Sequence, residues 1–362
     1  MQDPDIRRRK DQHLDLAVSG DVAFHETTTL LEQVRLVHDA LPDRRLEDLD
    51  TSVELFGRPL RFPLIIAAMT GGSARARQIN LRLAQIAQQR GYGLGLGSQR
   101  PMLTDPDAAA SYRVRELAPD VLLLGNIGVV QARALATSRL RALVDQVGAD
   151  ALCVHMNPAQ ELVQPGGDTD FRAGADTFAR LVAELGLPVV AKETGCGIAP
   201  HTAQRLHHAG VRHVDVSGAG GTSWVAIEAQ RATGGQAALG SLLREWGVPT
   251  AASVVFAKNS GMRTIIATGG VATGLDAARA IALGADAFGM ARAVLQVLER
   301  EGMEATHRWL DELERSFRAV MLLAGAGSLP ELQRCPRVIG ARLRSWLRLD
   351  AGHPRRRRRS RT

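Results

Sequence analysis

The chain has 362 residues, 45% hydrophobic and 23% charged, the balance of a globular protein with one large core. Its formal charge of +7 owes six units to Arg355 through Arg359 and Arg361, and aromatics make up only 4%, with none among those arginines. A base-stacking nucleic-acid surface is therefore not expected, and no apolar run approaches the roughly 18 residues of a membrane-spanning helix.

The basic stretch Arg7 to Lys10 leads into polar residues rather than the apolar core of a secretory leader, which points to the cytoplasm. Residues 1–61 read as an extension, in which "SVELFGRPLRF" (52–62) is a hairpin turning at Gly57 that plugs a barrel floor. Eight short apolar runs follow, at 62–69, 92–98, 120–128, 151–157, 188–193, 211–218, 264–270 and 287–292. Most lack apolar-polar alternation, as parallel strands covered on both faces do. Helical patterns lie between them. Ser73 is an N-cap ahead of Ala76, Ile79, Leu83 and Ile86, and residues 274–285 form a helix closed by Gly284. Eight β-then-α units predict an α/β fold, a (β/α)8 TIM barrel over 62–350 with an N-terminal extension and C-terminal helices. A doubly wound open sheet is the alternative. The longest insertion, about 219–260, follows the sixth strand, and one or two helices after about residue 300 precede a disordered arginine-rich tail, 351–362. Cys153, Cys196 and Cys335 are odd in number and widely spaced, which supports neither a zinc site nor a disulfide framework.

Active sites of such barrels form at the C-terminal ends of the strands, and all eight runs here end in polar or glycine-rich residues. Lys192, closing the fifth run, is one of three lysines among 45 basic residues. It snorkels to the rim, pairs with Glu193, or lies beside a bound flavin, whose reduction develops negative charge that an ammonium offsets. His155, Asn157, Gln160 and Glu161 follow the fourth run. Helix caps account for some of them, whereas Mg²⁺ bound by Glu161 together with a diphosphate accounts for the set. The turns at Gly269–Gly270 and at Ala291–Arg292 form the phosphate cradle such barrels build after strands seven and eight. Arg9, Lys10 and His13 fit either a solvated basic start or a second phosphate site.

The segments "RKDQH" (9–13), "MTGG" (69–72), "GSQR" (97–100), "NIG" (126–128), "HMNPAQE" (155–161), "KETGCGI" (192–198), "DVSGAGGTSW" (215–224) and "GMAR" (289–292) occur in this order. As an ordered set they resemble the type 2 isopentenyl diphosphate isomerases, flavoenzymes that interconvert isopentenyl and dimethylallyl diphosphate. The resemblance implies FMN contacts at Ala68, Met69, Thr70, Ser98, Asn126, Lys192, Thr222, Gly269, Gly270, Val271, Ala291 and Arg292. It implies a diphosphate substrate held by Arg9, Lys10, His13, Gln99, Arg100, His155, Asn157 and Gln160, with Glu161 on Mg²⁺. Lys192, Gln160 and His155 take catalytic roles, and Glu228 is a weaker candidate for proton transfer. Also implied are FMN kept reduced, commonly by NADPH, and a tetramer or octamer. One position departs: Ala272 stands where the family commonly has arginine, which leaves Arg292 as the main cation nearby. Two rivals are an FMN-dependent oxidoreductase of the 2-hydroxy-acid or dihydroorotate type, with Cys196 as its nearest candidate base, and a scaffold whose tail binds nucleic acid.

Overall fold

The computed structural model describes residues 4–349; the arginine-rich tail lies outside the described residues. Eight parallel strands close into a barrel: β1 (Leu64–Ile66), β2 (Gly93–Gly95), β3 (Leu123–Gly128), β4 (Ala151–Met156), β5 (Val189–Glu193), β6 (His213–Asp215), β7 (Thr264–Thr268) and β8 (Ala287–Met290). Phe288 opposite Leu64 closes the ring, so the open sheet is ruled out.

Strand register sorts the interior into two layers. Ile65, Leu124, Cys153, Val190 and Ile266 form an apolar lower layer with Leu55 and Leu60 of the hairpin. Two residues further along, where the strand period returns side chains to the same face, stand Asn126, His155, Lys192 and Thr268. Lys192 is paired in register with His155 on one side and Asp215 on the other. The lower layer is sealed by the hairpin, Val53–Leu55 against Arg58–Leu60. Phe56 and Gly57 both take positive φ, 53° and 78°, as the tightest hairpin turns require. The Phe56 ring meets His213 edge-on at 5.0 Å between centroids. The polar layer therefore faces the opposite end, the mouth.

Six helices shape that mouth and its support: α1 (Pro4–Ser19), α2 (Ala74–Arg90), α3 (Pro158–Val163), α4 (Trp224–Arg231), α5 (Gly274–Leu283) and α6 (Arg292–Leu323). Ser73 caps α2 by accepting from the Ala76 amide at 3.2 Å, and Ala76, Ile79, Leu83 and Ile86 are buried along one stripe. α5 ends at Gly284, whose φ is 115°. α1 is anchored through carbonyls at its end that no further helical turn satisfies. Arg292 donates to Ala17 O and to Gly20 O, both at 2.9 Å, and Gln296 donates to Val18 O at 3.0 Å. The C-terminal region is richer than one or two helices. α6 is interrupted at Gly302, and it is followed by the helix Leu329–Arg334, the strand Arg337–Ile339 paired with Val34–Leu36, and the helix Ala341–Leu347. Elements of three to seven residues are too short to print a period on the sequence. Among the described residues no helix is long and apolar enough to cross a membrane.

Candidate active site

A cavity of about 420 Å³ opens at the mouth, walled by the ends of the barrel strands and by α1, α3, α4 and the start of α6. Its lining includes Ala68, Met69, Ser98, Asn126, Lys192, Thr222, Gly269, Gly270, Val271, Ala291 and Arg292 together with Lys10, His13, Arg100, His155, Asn157, Gln160 and Glu161. Residues spread over 283 positions thus converge on one space. Trp224, Ser217, Gln131 and Gln164 also line it, none of them singled out by sequence reasoning.

Three expected contacts are not in its lining. Thr70 is buried behind the wall with its hydroxyl unpartnered. Arg9, on α1, is partly buried, and its Nε is without a partner. Gln99 is fully buried and turned away: its Oε1 accepts from the Asn126 amide at 3.0 Å and its Nε2 donates to Leu143 O at 2.9 Å. Gln99 supports the strand that carries Asn126. Gln99→Leu is accordingly expected to cost about 1–3 kcal/mol of stability, by leaving the buried Asn126 amide unpaired, with KM unchanged. Urea unfolding beside steady-state kinetics checks this, and a raised KM at wild-type stability would make Gln99 a substrate contact after all.

Lys192 neither reaches the rim nor pairs with Glu193. Its Nζ donates to Asp215 Oδ2 at 2.6 Å. Glu193 instead accepts from the amides of Cys196 at 2.5 Å and Gly197 at 2.8 Å, tying the turn after β5. Burial pushes the Glu193 carboxyl up to about 8, against the pull of those bonds. Burial likewise raises the Cys196 thiol, and Cys196 is not among the lining residues, so it is poorly suited to act as a base.

Cations and carboxylates meet around Lys10. Burial, then Arg9, brings Lys10 down to about 8, and burial, then Lys10, Lys192 and Arg100, brings His155 down to about 3. His155 is therefore neutral, with its Nδ1 bonded to Asn126 Oδ1 at 2.8 Å. Glu161 is buried; its Oε1 accepts from Asn157 at 2.9 Å and its Oε2 from the Asp168 amide at 2.8 Å. Behind Gln160 lies Glu228, wholly buried, accepting from Gln160 at 3.2 Å, bonded to His13 at 2.9 Å and paired with Arg231. Far from being a loose basic start, α1 brings Lys10 and His13 into the wall.

The start of α6 and the turn after β7 suit a phosphate. α6 begins at Ala291 with no side-chain cap, so its first amides are free to meet an anion. The helix after β7 differs, because Thr273 and Asp276 already form a capping box; there the Gly269–Ala272 turn, and not the helix start, is left to meet a phosphate. That turn packs backbone against backbone. A Cβ on Gly269, whose φ is 105°, would lie 2.2 Å from Gly218 O. Thr268 Oγ1, on a residue that lines the cavity, is buried without a partner, as expected where a polar group is to be received. Among the described residues no three His, Cys, Asp or Glu side chains gather around one point. Glu161 with Asn157 offers the partial shell that suits Mg²⁺ shared with a phosphate.

The profile of the FMN-dependent dehydrogenase family matches residues 6–156 and 134–336. An isopentenyl-diphosphate delta-isomerase of Synechococcus sp. is 43% identical over 91% of this chain and 95% of its own length. Those of Methanopyrus kandleri (41%, 94% of each chain) and Stutzerimonas stutzeri (42%, 90% and 95%) match comparably. Among solved structures, a mandelate oxidase with an FMN adduct superposes with a TM-score of 0.61 at 19% identity, covering 93% of this chain and 99% of its own, a likeness of fold.

Proposed function

Since the chain belongs to the FMN-dependent dehydrogenase family and to the isopentenyl-diphosphate delta-isomerases, we propose that it interconverts isopentenyl and dimethylallyl diphosphate with reduced FMN at the barrel mouth. The observation that carries this reading is what one cavity gathers: an uncapped helix start with Arg292, and Lys10, Arg100 and His155 close to Glu161.

Bound and reduced, FMN would supply an electron-rich face that offsets positive charge on the alkene and a ring nitrogen able to exchange a proton. The chain supplies the rest. Lys192 would meet the negative edge of that ring. Lys10 and Arg100 would hold the diphosphate, using remote binding energy to place the alkene. The diphosphate would offset the Lys10, Lys192 and Arg100 charges that, after burial, hold His155 down, and so would raise its proton affinity. Gln160, held by Glu228, would orient the double bond. α1 and Trp224 would keep out water, which would otherwise trap a carbocation-like species. NADPH as the reductant, Mg²⁺ as the metal, the cytoplasm as the location and a homo-oligomer of four or eight chains complete the proposal.

The decisive assay is anaerobic conversion of isopentenyl diphosphate with NADPH and Mg²⁺. The expected result is dimethylallyl diphosphate formed in large excess over NADPH oxidised. Stoichiometric consumption of electrons would favour the oxidoreductase reading, and a colourless protein that refuses FMN would end both. For the metal, Glu161→Gln should raise the Mg²⁺ needed for half-maximal rate about tenfold, the loss of one charged ligand, and indifference to Mg²⁺ in that variant would remove Glu161 from the site.

A further inference from the structure

The Lys192–Asp215 pair is almost dry, with side chains 8% and 7% exposed. A buried ion pair contributes little to stability compared with well-packed apolar side chains, and here Asp215 Oδ1 also lacks a partner. Stability is thus a poor reason for a carboxylate at this position. Geometry suggests a better one. A lysine at a strand end has a four-carbon stem that ordinarily carries its charge out to solvent. Asp215, in register opposite Lys192 on β6, draws it inward onto the polar layer.

We propose that Asp215 is a positioning residue for the proposed isomerase, holding the Lys192 ammonium charged and turned into the cavity where the FMN ring would lie. The inference rests on the FMN reading for its purpose, but the pairing can be tested without the cofactor. The other ionisable groups around Lys192 do not replace Asp215. His155, opposite on β4, is neutral; Cys153, one layer below, is a thiol that burial pushes up to about 12; and Glu193 is turned to the Cys196 and Gly197 amides. Among the described residues, Asp215 is the anion in hydrogen-bond contact with the ammonium.

The chain has three lysines, Lys10, Lys192 and Lys258, so lysine labelled at its terminal carbon gives three resonances, and Lys192→Met identifies one of them. Titrated in the cofactor-free protein, Asp215→Asn is expected to lower the proton affinity of Lys192 at least tenfold relative to wild type, about one pH unit. Loaded with FMN, the same variant should show a proton-linked change in the flavin spectrum that wild type lacks and that Asp215→Asn/Lys192→Met abolishes. If the amide disturbs folding, Asp215→Ser carries the same two readouts, and Asp215→Glu should restore the wild-type titration. Coincident Lys192 titrations in wild type and the Asn or Ser variant would overturn the proposal. Wild-type protein that refuses FMN while the Lys192 titration shifts as expected would instead sink the FMN reading and leave the pairing intact.

Discussion

Lys192→Met is expected to reduce isomerisation by about 10²–10³-fold, the loss that follows when one preorganised partner of developing charge is removed from a water-poor site. FMN should bind more weakly as well. The variant carries a second, separable defect, because Asp215 is left as a buried carboxylate without its counter-ion. Breaking a buried pair in this way costs about 3–5 kcal/mol. The double variant Lys192→Met/Asp215→Asn replaces the stranded charge with a neutral amide, so it should regain most of that stability and none of the turnover. Thermal unfolding, FMN titration and single-turnover kinetics on the three proteins separate the two effects. Wild-type turnover in Lys192→Met would take the ammonium out of the chemistry, and recovered turnover in the double variant would show that folding was the whole defect.

That coupling explains what could be read from the sequence and what could not. Strands buried on both faces announce themselves as apolar runs, and parallel pairing fixes which end carries the chemistry, so Lys192, His155 and the glycine turns were legible as strand-end residues. Asp215 obeys the same rule, since it interrupts the apolar run "HVDV". Its role is not legible there, because the glycines after it are the more conspicuous end of the strand. Gln99 is misplaced for a different reason. The resemblance implies a substrate contact there, whereas Gln99 lies past the end of β2, where the chain turns into the short helix Arg100–Leu103, and its side chain meets the Asn126 amide. Arg9, Lys10 and His13 could not be placed from composition, because what buries His13 is α4, more than 200 residues away in the chain. Nothing local in an insertion marks the carboxylate that a distant helix will meet.

Glu228 is that carboxylate, and Glu228→Gln is the variant expected to expose how α1 and the site depend on each other. Burial alone would raise the Glu228 carboxyl, but the hydrogen bond with His13 and the charge of Arg231 outweigh it and hold it below the usual range. Burial keeps His13 neutral near pH 7, so its Nε2–H is the donor in that bond. A depressed carboxyl stabilises the fold above its unfolded value, about 4.3, and that contribution is lost as the pH falls through the lower folded value. The amide of Glu228→Gln cannot titrate, so this part of the acid dependence of stability should vanish, while Arg231 is left facing a neutral group. Gln160 loses a charged acceptor and with it a fixed orientation, for which a fall in kcat on the order of tenfold to a hundredfold is expected. A carboxylate that served only to fasten α1 would give a different pattern, with KM raised through Lys10 and kcat preserved. Stability measured from pH 3 to 7, set beside kcat and KM for Glu228→Gln, distinguishes the two. An acid limb identical to wild type would show that Glu228 does not carry the charge ascribed to it.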